Sequence, residues 1–402
     1  MWGVLRGSGA FGALWGARAV SVLGDSLGLV ALLLYVQAST GAAIAVALLL
    51  LAGDFVPGLF GAFAGVVGDR FDLRRVMVGC DLVQGALTVA MALVLPPLEV
   101  LLVMVAVRSV TAQVFQAASR SAMPALVRDD QLEAANSALG AGTSGLEAVG
   151  PIVAAGLFLV TDVRGILLVD AATFFVSAGL LARLPKIPPT EATGHSVLKD
   201  ARDGLGYILR TAQIRVIGIG FFATVAFNGV DDVAMVFLAK DELRGSDSAA
   251  ATLYAGVGIG LIVGFAILAR YAGRLTMPVL ILLGFAVSSA GNLVTGLAWA
   301  IWAALALQVI RGLGIAGIDV GVNTYLQRVV PPQLRSRVFG NLYGAIGLAA
   351  GMSYVLGGLL LQRTDARTTF VTAGVGGLVA TAATAIALRR SGREEREPPV
   401  RR

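Results

Sequence analysis

Twelve stretches of about twenty mostly apolar residues, separated by short polar breaks, run almost from end to end of this 402-residue chain. They fall at 14–37, 43–67, 76–95, 99–122, 136–160 and 165–183, then at 216–239, 249–269, 278–298, 301–326, 338–361 and 367–388. About twenty apolar residues in a helix cross the hydrocarbon of a bilayer, so each run reads as one membrane span. Composition agrees: 57% of the residues are hydrophobic and 14% charged, too few polar groups to close a soluble shell around such a core. No sizeable soluble domain fits between the spans. The first residues, through Gly12, lack the basic stretch, short apolar core and small-residue cleavage site of a removable signal, so the first run is itself expected to be a span.

The distribution of charge orients these spans. With the N-terminus inside, the inner loops and tails, Arg18 among them, collect 24 of the 31 Lys and Arg residues. The outer loops hold five: Arg164, Lys240, Arg244, Arg363 and Arg367. Basic residues flank spans on the cytoplasmic side, which puts both termini in the cytoplasm and gives the net charge of +6 a use other than nucleic-acid binding.

The longest polar stretch, 184–215, carries Pro185, Pro188, Pro189 and a mixed-charge segment from Ser196 to Arg210. It separates an N-terminal six-helix bundle, 1–183, from a C-terminal one, 216–388, with a charged cytoplasmic tail at 389–402. The halves resemble each other. Arg108 precedes Asp130-Gln131-Leu132 about as Arg311 precedes Pro332-Gln333-Leu334, the triplets being offset by 202 residues. The expected fold is therefore all-α and integral to the membrane, twelve transmembrane helices in two pseudo-symmetric bundles, with a substrate site between them near mid-membrane. Glycines recur within spans, as at Gly312, Gly314, Gly317 and Gly321, where small residues let helices approach closely.

Several chemistries drop out. Cys80 is the only cysteine and His195 the only histidine, the latter in a polar, proline-containing stretch, so neither a disulfide nor a metal site is expected. No phosphate-cradling loop and no supported nucleophile–base pair points to an enzyme. The two-half organisation disfavours a channel.

The most specific local string is Gly65-Val-Val-Gly-Asp-Arg-Phe-Asp-Leu-Arg-Arg75, in the turn between the second and third spans. It resembles the signature loop of the major facilitator superfamily. Gly65, Asp69, Arg70 and Arg74 match the pattern, while Asp72 stands where glycine is usual and Leu73 where a base is usual. The resemblance implies that these residues form an inner conformational latch. Gly145, Gly150, Pro151 and Gly156 in the fifth span resemble that superfamily's antiporter motif, associated with export. The alternative reading of the same residues is a packing kink with no bearing on direction. Val-Leu-Gly-Asp-Ser-Leu around Asp25, Val-Arg-Asp-Asp-Gln-Leu from Val127 and Pro-Pro-Gln-Leu-Arg-Ser-Arg from Pro331 look like the enterobactin exporter-like and macrolide efflux branch. That resemblance implies alternating access and proton-driven export of a drug-like molecule or metabolite across a bacterial cytoplasmic membrane. Uptake or exchange of a polar metabolite is the alternative. The expected partners are a small-molecule substrate and membrane lipid, the chain acting as a monomer, with no cofactor beyond a proton gradient.

Ionisable groups inside spans cost about 2.5–3.5 kcal/mol each, so they are candidates for function. Proton coupling is expected among Asp25, Glu147, Asp231 and Asp232, and the cavity is expected to draw on Asp54, Arg108, Asn228, Arg311, Asp319 and Asn323. Arg108 and Arg311 read as the only deep bases. Asp81 and Asp170 read as structural, pairing with loop arginines or capping helices. Asn228, Asp231 and Asp232, at i, i+3 and i+4, are expected on one helical face, with Asn228 lying 203 residues after Asp25.

Overall fold

The computed structural model describes residues 9–56, 71–128, 131–188, 197–271 and 274–394, apart from some side chains within them. Gly65, Asp69 and Arg70 of the expected latch lie outside these residues, as does His195. Among the described residues, ten helices are long and apolar enough to cross a membrane, and two shorter apolar helices, Ala43–Asp54 and Gly145–Leu157, accompany them.

The chain divides into two compact units, Met1–Thr193 with Ser246–Gly258, and Gly194–Gly245 with Ile259–Arg402. The first contains α1 (Gly9–Thr40), α2 (Ala43–Asp54), α3 (Leu73–Val94), α4 (Leu98–Leu126), α5 (Leu132–Leu157) and α6 (Val163–Leu181). In the second lie α7 (Val197–Arg210), α8 (Ala212–Asn228), α9 (Asp231–Phe237), α11 (Met277–Thr295), α12 (Ile301–Val329), α13 (Arg335–Arg363) and α14 (Ala366–Glu394). The helix between α9 and α11, α10 (Asp247–Tyr271), gives its residues through Gly258 to the first unit.

In the first unit α6 packs between α1 and α3 over a core of Leu14, Ala17, Met77, Phe115 and Leu181. In the second, α11 lies along α12 and α14, with Phe221, Ile281, Phe285, Val322 and Tyr325 buried there. Large apolar side chains such as Val103, Phe175, Ile219, Leu283 and Val379 remain exposed on outer faces, the pattern of a surface whose solvent is lipid.

Helix ends show how polar backbone is satisfied. Gly41 takes the left-handed conformation (φ 61°) between α1 and α2, where a side chain would be strained. The Tyr35 hydroxyl donates to the carbonyls of Leu95 (2.6 Å) and Pro96 (2.9 Å), closing the end of α3. At the start of α3, Asp72 explains its departure from the resembled pattern. Its carboxylate accepts from the Arg74 N–H (3.0 Å) and the Ile187 N–H (3.4 Å), capping the helix. Arg74 in turn donates through Nη1 to the Leu184 carbonyl (2.9 Å), tying the start of α3 to the chain beyond α6. Asp72→Ala is expected to remove about 1 kcal/mol of stability. Thermal unfolding of purified protein should show the loss, with Asp72→Asn retaining most of it.

The structure refines two sequence expectations. Within the linker expected at 184–215, the mixed-charge stretch folds as α7. It buries Gly204 and Ile208, and the face carrying Arg202, Leu205 and Leu209 points outward. A Cβ on Gly204 would lie 2.6 Å from the Arg337 carbonyl of α13, and Asp203 pairs with Arg337 at 3.1 Å. Amphipathic spacing outweighs high charge in this segment. The seventh run, expected as one helix, is interrupted: α8 ends at Asn228, Gly229 and Val230 form a turn, and α9 begins at Asp231. The Asp231 carboxylate accepts the Asp232 N–H (3.0 Å), replacing a helical backbone bond. Asn228 and the two acids therefore flank this turn within one span, Ala212–Glu242.

Candidate functional site

The first unit carries a buried ionic cluster on α1, α4 and α6. Arg108 of α4 reaches Asp25 of α1 through Nη2 (2.8 Å) and Asp170 of α6 through Nη1 (2.9 Å). Nη1 also donates to the Thr88 hydroxyl (3.3 Å), and the guanidinium lies 5.7 Å from the Phe174 ring centroid. The side chains differ in access: Asp170 is fully buried, Arg108 is 12% exposed and Asp25 37%. Asp170 is thus a partner of the deep base, on the middle of its helix, and not of a loop arginine or a cap. Its place depends on Gly24 and Gly28, one turn apart on α1. A Cβ on Gly24 would stand 2.7 Å from Asp170 Oδ1, and one on Gly28 would strike the same carboxylate.

Arg18 is the base that sequence reading placed at the cytoplasmic edge. It is 7% exposed, buried inside the unit, and donates through Nη1 to the Ser119 hydroxyl (3.3 Å). The spacing of Arg18, Ser21 and Asp25, three and then four residues, puts all three on one face of α1 and was the available signal. Arg18 therefore joins Arg108 and Arg311 as a base held inside the fold. Asp81, expected near a helix end, is 1% exposed within α3.

On α5, Glu147 is exposed, and its backbone carbonyl accepts the Ser26 hydroxyl (2.8 Å). Of the motif beside it, Gly150 faces α1, where a Cβ would sit 3.1 Å from the Ser26 carbonyl carbon and closer still to its side chain. Gly145 and Gly156 have open space, and α5 continues as a helix through Pro151. Asp54 is exposed at the last position of α2.

The second unit builds a related but different cluster. Arg311 of α12 pairs with Asp231 of α9, and Asp232 lies within electrostatic reach of the same guanidinium. Arg311 Nη1 also meets the Gln308 amide oxygen (3.4 Å), and Gln308 donates to the Thr295 hydroxyl (3.2 Å). Asn228, at the place corresponding to Asp25, donates to the Ser289 hydroxyl (2.9 Å) and accepts from Asn292 (3.3 Å). The acid has moved one turn along: residue 231 corresponds to Gly28, and Ala373 stands where the first half has Asp170. Further along α12, Asn323 donates to the Asp319 carbonyl (2.8 Å) and accepts from the Tyr343 hydroxyl (3.2 Å). Asp319 and Asn323 thus belong to a separate group from Arg311. Among the described residues no group of His, Cys, Asp and Glu has the arrangement of a metal site.

Comparisons with known proteins place the fold. The macrolide efflux protein A of Streptococcus pyogenes is 22% identical over 381 residues, covering 90% of this chain and 92% of that protein. An uncharacterized MFS-type transporter of Bacillus subtilis, YkuC, is 23% identical over 78% of this chain and 76% of its own length. Among solved structures, the nucleoside transporter NupG superposes with a TM-score of 0.77 at 11% identity, covering 94% of this chain and 99% of that one. A bacterial homolog of the human lysosomal transporter Spinster, in an inward-facing conformation, gives 0.73 at 15% identity over 96% and 98% of the two chains. The Major Facilitator Superfamily model matches residues 14–298 and 217–402. With helices long enough to cross a membrane repeatedly and a family match over nearly its whole length, this chain is a member of the Major Facilitator Superfamily, a multi-pass membrane transporter and not an enzyme.

Proposed function

We propose that this transporter exports a small drug-like molecule or metabolite by proton antiport with alternating access, from a bacterial cytoplasmic membrane with both termini inside. The observation that carries the reading is Arg108 held between one sealed carboxylate, Asp170, and one partly open carboxylate, Asp25. Two acids share one base, so the cluster has a place for one proton, and Asp25 is the member whose side chain is exposed. Protonation of Asp25 releases half of the clamp on Arg108 and leaves it with Asp170 alone. The cluster thus has two states of different charge, and a gradient that fills one of them biases the helices that carry it. The relatives named for macrolide efflux support export over uptake. In this reading the two six-helix halves move against each other as a monomer in lipid, with Gly65, Asp69, Arg70 and Arg74 as the inner latch.

The test uses purified protein in vesicles, a macrolide as probe and an imposed pH gradient. Wild type should expel the probe faster with the gradient than without it. Asp25→Asn should run at the downhill rate under both conditions, because it keeps the shape but holds no exchangeable proton. Wild-type efflux that ignores the gradient would rule out antiport, and gradient-driven accumulation in the opposite direction would assign uptake instead.

A further inference from the structure

Beside the Arg108 cluster, α1, α3, α4 and α6 enclose a cavity of about 50 Å³ whose polar lining is Arg18, Ser21, Asp25, Asp81, Gln84 and Gln116. A water needs about 10–15 Å³ of such space, so about three to five fit. A drug-sized ligand fills about 300–1,000 Å³, which excludes the cargo. Asp81 is 1% exposed, and neither of its carboxylate oxygens has a hydrogen-bond partner. The Gln84 amide oxygen on the next turn of α3 is unpartnered as well. Three buried acceptor atoms without a close donor are costly, and all belong to residues that line this small polar cavity.

The charges around Asp81 define what that space takes. Arg18 and Asp25 face it from α1, Arg108 lies on α4 and Asp170 on α6, and the Ser177 hydroxyl of α6 and the Cys80 thiol are its near neutral neighbours. Arg120 of α4 acts on Arg18, and Glu147 of α5 acts on both Arg18 and Asp25; one base and one acid, they leave the balance of charge around the cavity unchanged. Asp25, Asp81 and Asp170 bring three negative charges against two positive ones from Arg18 and Arg108. One positive charge completes the balance. A metal cation would share the cavity with the Arg18 guanidinium and be repelled; a proton needs a single acceptor oxygen.

We propose that this cavity is a second proton site, with Asp81 holding the transported proton and passing it to Asp25 through cavity water. The inference rests on the antiport reading and adds a residue to it. The Asp81 carboxylic acid gives its proton to a water, that water gives one to the Asp25 carboxylate, and Asp25 then loosens from Arg108. Proton number and charge are conserved at each transfer, so no co-reactant is required.

Acid-minus-alkaline infrared difference spectra of purified protein read protonated carboxyls without any cargo. Wild type is expected to show separable carboxyl bands, with one lost in Asp81→Asn and another in Asp25→Asn. Asp81→Glu should restore a displaced band, and vesicle efflux driven by the pH gradient should be lost in Asp81→Asn and regained in part by Asp81→Glu. An Asp81→Asn spectrum that superimposes on wild type, in protein that remains monodisperse, overturns the proposal while leaving Asp25-dependent antiport standing. So does a band that responds to exchanging sodium for potassium at constant pH, which would assign a metal-cation site. Wild-type efflux indifferent to the gradient removes the antiport reading itself, whatever the spectra show.

Discussion

Arg108→Leu is expected to abolish transport and to destabilise the protein by about 3–5 kcal/mol, the range for removing one partner of a buried ion pair. The size follows from what is left behind. Asp170 is fully buried and its other oxygen, Oδ1, has no hydrogen-bond partner, so loss of the guanidinium strands a carboxylate in an apolar interior. Combining Arg108→Leu with Asp170→Asn removes the stranded charge and should recover a large part of the stability without restoring transport. Thermal unfolding in detergent measures the first effect and vesicle efflux the second. An Arg108→Leu protein as stable as wild type would show that the cluster holds nothing together.

Gly314→Val should collapse the yield of folded protein, a loss of about 1–3 kcal/mol or more for overpacking against atoms that cannot yield. A Cβ at Gly314 would lie 2.7 Å from the Ser288 amide nitrogen and 3.0 Å from the Gly284 carbonyl oxygen, both backbone atoms of α11. In lipid, helix association draws on close packing, so separating α11 from α12 forfeits the contact that holds the second unit's centre. Gly317, one turn away on α12, provides the contrast. Its nearest neighbour would be 3.6 Å from an added Cβ, so Gly317→Ala is expected to leave yield and melting temperature near wild type. The monodisperse fraction on size-exclusion chromatography separates the two outcomes.

The spans were legible because apolar length is a property of the sequence alone. The run at 165–183 became α6, Val163–Leu181, and that at 301–326 became α12, Ile301–Val329. Depth was less legible than length. Asp170 was assigned to a helix end because it lies five residues into its run, and only the gap opened by Gly24 and Gly28 shows that its carboxylate turns inward to Arg108. Arg18 was assigned to the cytoplasmic edge for the same reason, although its spacing to Ser21 and Asp25 pointed inward. α7 was hidden by its charge, and the break after Asn228 by a local competition between side chain and backbone at Asp231 that periodicity does not register. Arg108 and Asp25 were found as single residues. Their pairing required the fold.

α6 and α11 are 19 residues each, about 28 Å long, whereas α1 runs 32 residues, about 48 Å. Long helices accommodate bilayer thickness by tilting, but a helix shorter than the hydrocarbon core forces the lipid to thin or draws flanking residues inward. These two, the shortest of the ten membrane-length helices among the described residues, carry Asp170 and the Ser289 and Asn292 partners of Asn228. Hydrophobic mismatch would therefore act first on the helices that position the buried polar groups. Lengthening the acyl chains of the host bilayer by a few ångströms should slow turnover well before it unfolds the protein, so lipid thickness becomes a control on the helices that position these buried polar groups.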